Sequence, residues 1–223
     1  LTRQNVIDAA MLLVNENTTQ LMTPTVQTTF ADMANRHVYD LIVAKCSHYV
    51  VTSTSFTWPA NTESADFTGA SYLNADPLKL ISIEDYPSTG GIGAGNLPRK
   101  WETMESSQRP GYHYQWTVPH YIMEGDNLFV APLFGQTLNC RALWIPQAAA
   151  LTLSSTEVLN GKAESFGDAV TFCLAHLLNA RQSGTNPAIE RGWAEWQAKI
   201  AAAAKRTVGP KHVTYRHRAG IRW

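Results

Sequence analysis

The periodicity of apolar residues changes twice along this chain, and those two changes constrain its fold more than any other feature. From Thr2 to Tyr49 apolar residues recur every three or four positions. From Val50 to Pro146 they alternate or fall in short runs, and beyond Pro146 the longer spacing returns. Such an order places helices at both ends of the chain and strands between them. Neither terminal pair of helices can bury its stripe alone, so the two pairs are expected to pack on each other. The fold class expected is therefore α+β: an antiparallel bundle of four helices from residues 1–49 and 148–206, with an inserted small β-sheet or barrel at 50–147. An extended basic C-terminal tail follows at 207–223.

Local signals fill in that outline. Thr2 can cap a first helix whose stripe is Val6, Ile7, Ala10, Met11, Leu13 and Val14. Thr23 followed by Pro24 opens a longer second helix, for which the bulky residues Val26, Phe30, Met33, Leu41, Ile42 and Tyr49 predict the inner face. Phe56 and Trp58 share one face of an alternating strand that Pro59 stops. A second strand is expected in PLKLISIEDY, a short helical turn in RKWETMES, and further strands at Tyr121 to Met123, Asn127 to Ala131 and Leu138 to Ile145. The first two of these are joined by EGDN as a tight hairpin. Phe166, Val170, Cys173, Leu174, Leu177, Leu178 and Arg181 mark a third helix. Asn186 and Pro187 start a fourth, carrying Ile189, Trp193, Trp196, Ile200 and Ala203.

Chemistry is sparse on this frame. The glycines of GGIGAG do not fit a dinucleotide-binding spacing and precede Asn96, Leu97 and Pro98 rather than a helix, so a loop is expected there. Glu124 and Asp126 fit turn chemistry better than paired catalysis. His37, His48, His113, His120 and His176 lack ligand spacing, and the cysteines Cys46, Cys140 and Cys173 form no CxxC pair. Buried reduced thiols, no metal, no cofactor and no catalysis are the expectations. The apolar runs are far shorter than the ~20 residues of a spanning helix, so a soluble, non-secreted protein without membrane contact is expected. Leu1 stands where an initiating methionine would, so preceding residues are expected.

The charge is balanced over the chain, with 18 basic and 18 acidic residues, but it is not evenly spread. From Lys205 onward there are six bases and no acid, leaving twelve bases against eighteen acids in the body. A segment with that bias and no apolar stripe has its partner outside its own core. The central region also holds more Trp, Tyr and Phe than a small sheet needs. Trp101, Tyr112, Tyr114, Trp116, Phe129 and Phe134 are therefore expected at subunit or tail interfaces.

The hairpin HYIMEGDNLFVAPLF, the following CRALWIPQAAALT, and the helical stretches STEVLNGKAESFGDAVTFCLAHLL and AIERGWAEWQAKI together resemble the head-to-tail adaptor, or connector, proteins of tailed bacteriophages, the short-tailed type above all. The resemblance implies a structural virion protein of the particle's neck, assembled in the host cytoplasm. It implies a homo-oligomeric ring, usually dodecameric, that sits beneath the portal protein and above tail tube, nozzle or tail fibre proteins. Double-stranded DNA passes through such a ring without sequence-specific binding. It further implies that a C-terminal extension docks on the portal, a role carried here by Lys205, Arg206, Lys211, His212, Val213, Tyr215, Arg216, Arg218, Arg222 and Trp223. Tail-tube or tail-completion proteins are a related expectation. A nucleic-acid-binding module using the basic tail is a different one.

Overall fold

The computed structural model describes residues 1–14, 23–86, 98–104, 119–159, 161–181 and 186–206. The chain forms two compact units, one from Leu1–Tyr49 with Ala150–Trp223 and the other from Val50–Ala149.

The first unit holds four α-helices among the described residues: α1 (Arg3–Val14), α2 (Pro24–Cys46), α3 (Gly167–Arg181) and α4 (Pro187–Arg206). The Thr2 hydroxyl accepts from Asn5 N at 3.3 Å and caps α1, which buries Val6, Ile7, Ala10 and Met11 at the expected spacing. Its entry is tied to the segment before α3. Arg3 N donates to the Thr156 carbonyl at 2.8 Å, and the Arg3 guanidinium donates to the carbonyls of Leu151 and Thr152. Thr23 caps α2 with Pro24 in the first turn, and Asn186 caps α4 through Ala188 N at 3.0 Å. α3 touches all three other helices. It accordingly buries residues on nearly every side, from Gly167, Val170 and Thr171 to Leu174, Leu178 and Asn179, as a central helix must.

The inner face of α2 differs from the expected one. Its buried residues are Ala31, Ala34, Asn35, Val38, Tyr39, Ile42 and Cys46, whereas Val26, Phe30 and Leu41 are only partly covered and Met33 is half exposed. Small side chains let α2 approach its neighbours closely, and the bulky ones fall to the flank of that contact.

The second unit overturns the expected bundle with a small inserted sheet. It contains two four-stranded sheets, one ordered β1-β8-β3-β4 and the other β2-β7-β6-β5. The strands are β1 (Thr52–Trp58), β2 (Ser64–Asp66), β3 (Pro77–Tyr86), β4 (Arg99–Lys100), β5 (Glu102–Thr103), β6 (His120–Glu124), β7 (Asn127–Ala131) and β8 (Leu138–Pro146). All pairings are antiparallel except β5 with β6. The expected helical turn in RKWETMES is instead a strand that changes sheets. Arg99 and Lys100 pair with β3, Glu102 and Thr103 pair with β6, and Trp101 sits between, its N–H donating to the Ile83 carbonyl at 2.9 Å. β6 and β7 form the expected hairpin, with Glu124 opposite Asn127 and Gly125 at φ 59, a conformation glycine takes without strain.

Aromatic rings fill this unit. Trp58 meets Trp101 edge-on at 6.3 Å and Phe56 meets Phe67 at 5.2 Å, geometries that favour the ring quadrupoles. Each buried indole N–H has an acceptor: the Thr62 carbonyl for Trp58, Asp85 for Trp101 and the Thr54 hydroxyl for Trp144. β3 carries register shifts between Pro77 and Lys79 and between Leu80 and Ser82, and Leu78 and Ile81 are the residues left without partners on β8. Both are exposed aliphatics, as expected where bulges turn side chains outward.

Candidate functional site

Two constellations of polar side chains stand out, one in each unit. In the second unit Asp85, almost fully buried, accepts from Arg99 Nε at 3.0 Å and Nη2 at 2.8 Å, and from Trp101 Nε1 at 2.9 Å. The bidentate fork and the indole together occupy the carboxylate. These bonds pin the sheet-changing strand and engage both carboxylate oxygens of Asp85 and the indole N–H of Trp101. Beside it the Arg141 guanidinium donates to Glu84 at 2.8 Å and lies over the Tyr86 ring. The Glu84 bond pushes the pKa of Arg141 up.

The second constellation is a groove of about 400 Å3 between α2, α3 and α4. Met33, Arg36, His37 and Asp40 line it from successive turns of α2, and Cys173, His176 and Leu177 from α3, both at spacings that share one helix face. Trp193 of α4, 6% exposed, forms part of the floor and faces the His37 ring at 5.9 Å. His176 Nδ1 lies 2.8 Å from Glu190 Oε1, and Arg36 pairs with Asp32 at 2.9 Å.

Cys173, His176 and Glu190 have the residue types of a thiol–imidazole–carboxylate set. Burial, however, pushes the Cys173 thiol up to about 12, so the thiolate that attacks a carbonyl is not formed near neutrality. The His176–Glu190 contact joins α3 to α4 instead. Cys140 is pushed up to about 12 as well, by burial first and then by Asp85. All three cysteines are free and buried. No cluster of three or more His, Cys, Asp or Glu that could hold a metal occurs among the described residues. No helix among them is long and apolar enough to cross a membrane.

The expected site residues are scattered. Trp101, 1% exposed, belongs to the core of its own unit and leaves no ring face for a partner. Phe134 is partly exposed and packs on that core against Trp101 and Arg99, and Phe129 of β7 is partly covered. Tyr112, Tyr114 and Trp116 lie outside the described residues, as does the GGIGAG stretch. Lys205 and Arg206 end α4, while Lys211, His212, Val213, Tyr215, Arg216, Arg218, Arg222 and Trp223 lie outside the described residues. The groove was not among the expected sites. Its one sequence signal is the recurrence of Met33, Arg36, His37 and Asp40, a mixed stripe that a search for apolar periodicity passes over. No protein-family model matches the chain, and no curated protein sequence matches it.

Proposed function

We propose that this protein is a head-to-tail adaptor of a tailed bacteriophage, a structural virion component and not an enzyme. In this reading it forms a ring, dodecameric by the resemblance, beneath the portal, joins capsid to tail, and lets double-stranded DNA pass. The observation that carries the reading is the composition of the two units: the chain ends combine into one helical unit, and the residues between them fold as a β unit of their own. The β unit is larger than the small inserted sheet expected; the reading is supported by the order of parts, with helices from both ends of the chain around a β region and an acid-free C-terminal segment following α4.

The charge distribution suits the role. A body with more acids than bases, repeated around a channel, gives phosphate few cations to bind, and phosphate contact is what makes DNA adhere. The segment from Lys205 supplies the cations for a separate contact, with the portal. Partly exposed Phe129 and Phe134 are offered to a neighbouring subunit or tail protein. Reversing the charges of Arg216, Arg218 and Arg222 in the full chain should abolish co-sedimentation with portal rings and leave the far-UV spectrum unchanged. Unaltered co-sedimentation would remove the docking role. A salt-dependent mobility shift of duplex DNA that depends on the same arginines would favour the nucleic-acid-binding reading instead.

A further inference from the structure

The two sheets of the β unit have four edge strands among the described residues, and three of them are short and charged. β4 and β5 have two residues each and β2 has three, with Arg99 and Lys100 on β4, Glu102 on β5 and Asp66 on β2. β1 is the exception. Its seven residues carry neither charge nor proline, and its register on β8 runs from Thr52 opposite Trp144 to Trp58 opposite Leu138 without a bulge. An uninterrupted edge of this kind is a template for another strand.

The main-chain phase of that edge follows from the neighbouring strands. Trp101 N donates to the Ile83 carbonyl, so Ile83 turns its main chain toward β4 and away from β8. Ala142, opposite Ile83 on β8, therefore turns toward β1 and makes a hydrogen-bonded pair with Thr54. By alternation Thr52, Thr54, Phe56 and Trp58 bond to β8, while Ser53, Ser55 and Thr57 turn their N–H and C=O groups outward. The side chains of these three are exposed. Among the described residues no hydrogen bond reaches their outward groups.

We propose that β1 pairs with β1 of a second copy of this chain, antiparallel across a twofold axis at Ser55. The absence of charge selects that occupant. In an isologous contact a residue on the axis meets its own copy, so a lysine or glutamate there would face a like charge. A foreign strand would need charge or bulk to select it, and Ser53, Ser55 and Thr57 offer neither. With Ser55 opposite the partner's Ser55, Ser53 stands opposite the partner's Thr57. All three outward residues then enter hydrogen-bonded pairs, and about six main-chain bonds form. Hydroxyls meet hydroxyls on the open face, a favourable cross-strand pairing. The contact closes on its own twofold and does not repeat around a ring, so it belongs to the free protein and is independent of portal docking.

Sedimentation velocity of the full chain tests this. The mass should rise from one chain to two between about 1 and 100 µM, the range for a contact at the small end of interface sizes. Ser55→Lys and Ser55→Glu should each move the midpoint roughly tenfold or more to higher concentration, and an equimolar mixture of the two should restore the dimer, because opposite charges then meet on the axis. The Ser55 side chain is exposed, so both variants should keep the wild-type far-UV spectrum. Should either fail to fold, Ser53→Lys with Thr57→Lys should be monomeric and Ser53→Lys with Thr57→Glu dimeric, which tests the same register. A wild-type chain that stays monomeric to about 100 µM, or a dimer that both Ser55 variants leave intact, would overturn the proposal. Loss of the dimer in each variant without recovery in the mixture would overturn it as well, since Ser55 would not then stand opposite itself.

Discussion

Asp85 shows how much one side chain can hold in a unit of short strands. Replacing it by alanine removes both bonds to Arg99 and strands the buried indole N–H of Trp101, whose neighbours are apolar rings. The expected loss is about 3 kcal/mol, below the upper range for a broken buried pair because Arg99 is partly exposed and can rehydrate. Urea unfolding monitored by near-UV signal checks it, and Asp85→Asn, which can still accept from Trp101, should lose less. Gly192 is a second such position. A Cβ there would stand 2.2 Å from Phe172 Cε1, so the ring packs directly on the backbone of α4. Gly192→Ala should destabilise by about 1–2 kcal/mol, the clash being partly offset by the better helix propensity of alanine. With Phe172→Ala already in place the same change should be neutral or stabilising, and a double-mutant cycle measures the difference. The buried thiols give a third test. For Cys140 and Cys173 the thiolate is disfavoured in the fold, so their contribution to stability is complete below their ordinary value near 9. It is lost as pH rises from there toward about 12. Chemical stability should therefore fall above pH 9 in the wild type, and less steeply in Cys173→Ala once its packing cost is subtracted. An identical slope would mean that the Cys173 thiol is not held protonated by the fold.

At the scale of elements, what was legible in the sequence depended on length and on residue size. α1 and α3 were legible because four or more bulky residues recur on one face. Leu174 is fully buried at the centre of α3, and Leu174→Ala should cost about 2–5 kcal/mol in equilibrium unfolding, whereas a change within experimental error would misplace the stripe. β1 was legible because Phe56 and Trp58 alternate with exposed Ser53, Ser55 and Thr57. The face of α2 was not, because bulk does not mark burial there: Ala31, Ala34 and Val38 are buried, while Phe30 is only partly covered and Met33 is half exposed. β4 and β5 contribute two residues each, too few to display any period, and their pairing is decided by Asp85, Arg99 and His120 rather than by alternation. The bulges of β3 hid in the same way, since Leu78 and Ile81 look like core residues until the register passes over them. The candidate groove was illegible for a related reason: its lining comes from three helices, and no single stretch of sequence carries it.

For the whole molecule, the proposed function divides its roles between the two units and the C-terminal segment. The helical unit is built from both ends of the chain, so whatever holds the C-terminal segment acts directly on the unit that α1 to α4 form. The β unit has a core of its own, in which Phe56, Trp58 and Ile83 of one sheet share a cluster with Tyr121, Leu128 and Val130 of the other. In the proposed connector role, one body would close a ring, the other would meet the next component, and the charged C-terminal segment would secure the assembly. The measurement that tests this most directly is single-particle imaging of the full-length protein mixed with its cognate portal rings. Class averages should show a second ring, matched to the portal's symmetry and stacked on one end of it, that is lost when Arg216, Arg218 and Arg222 are reversed in charge. Portal rings that stay bare would contradict the proposed function.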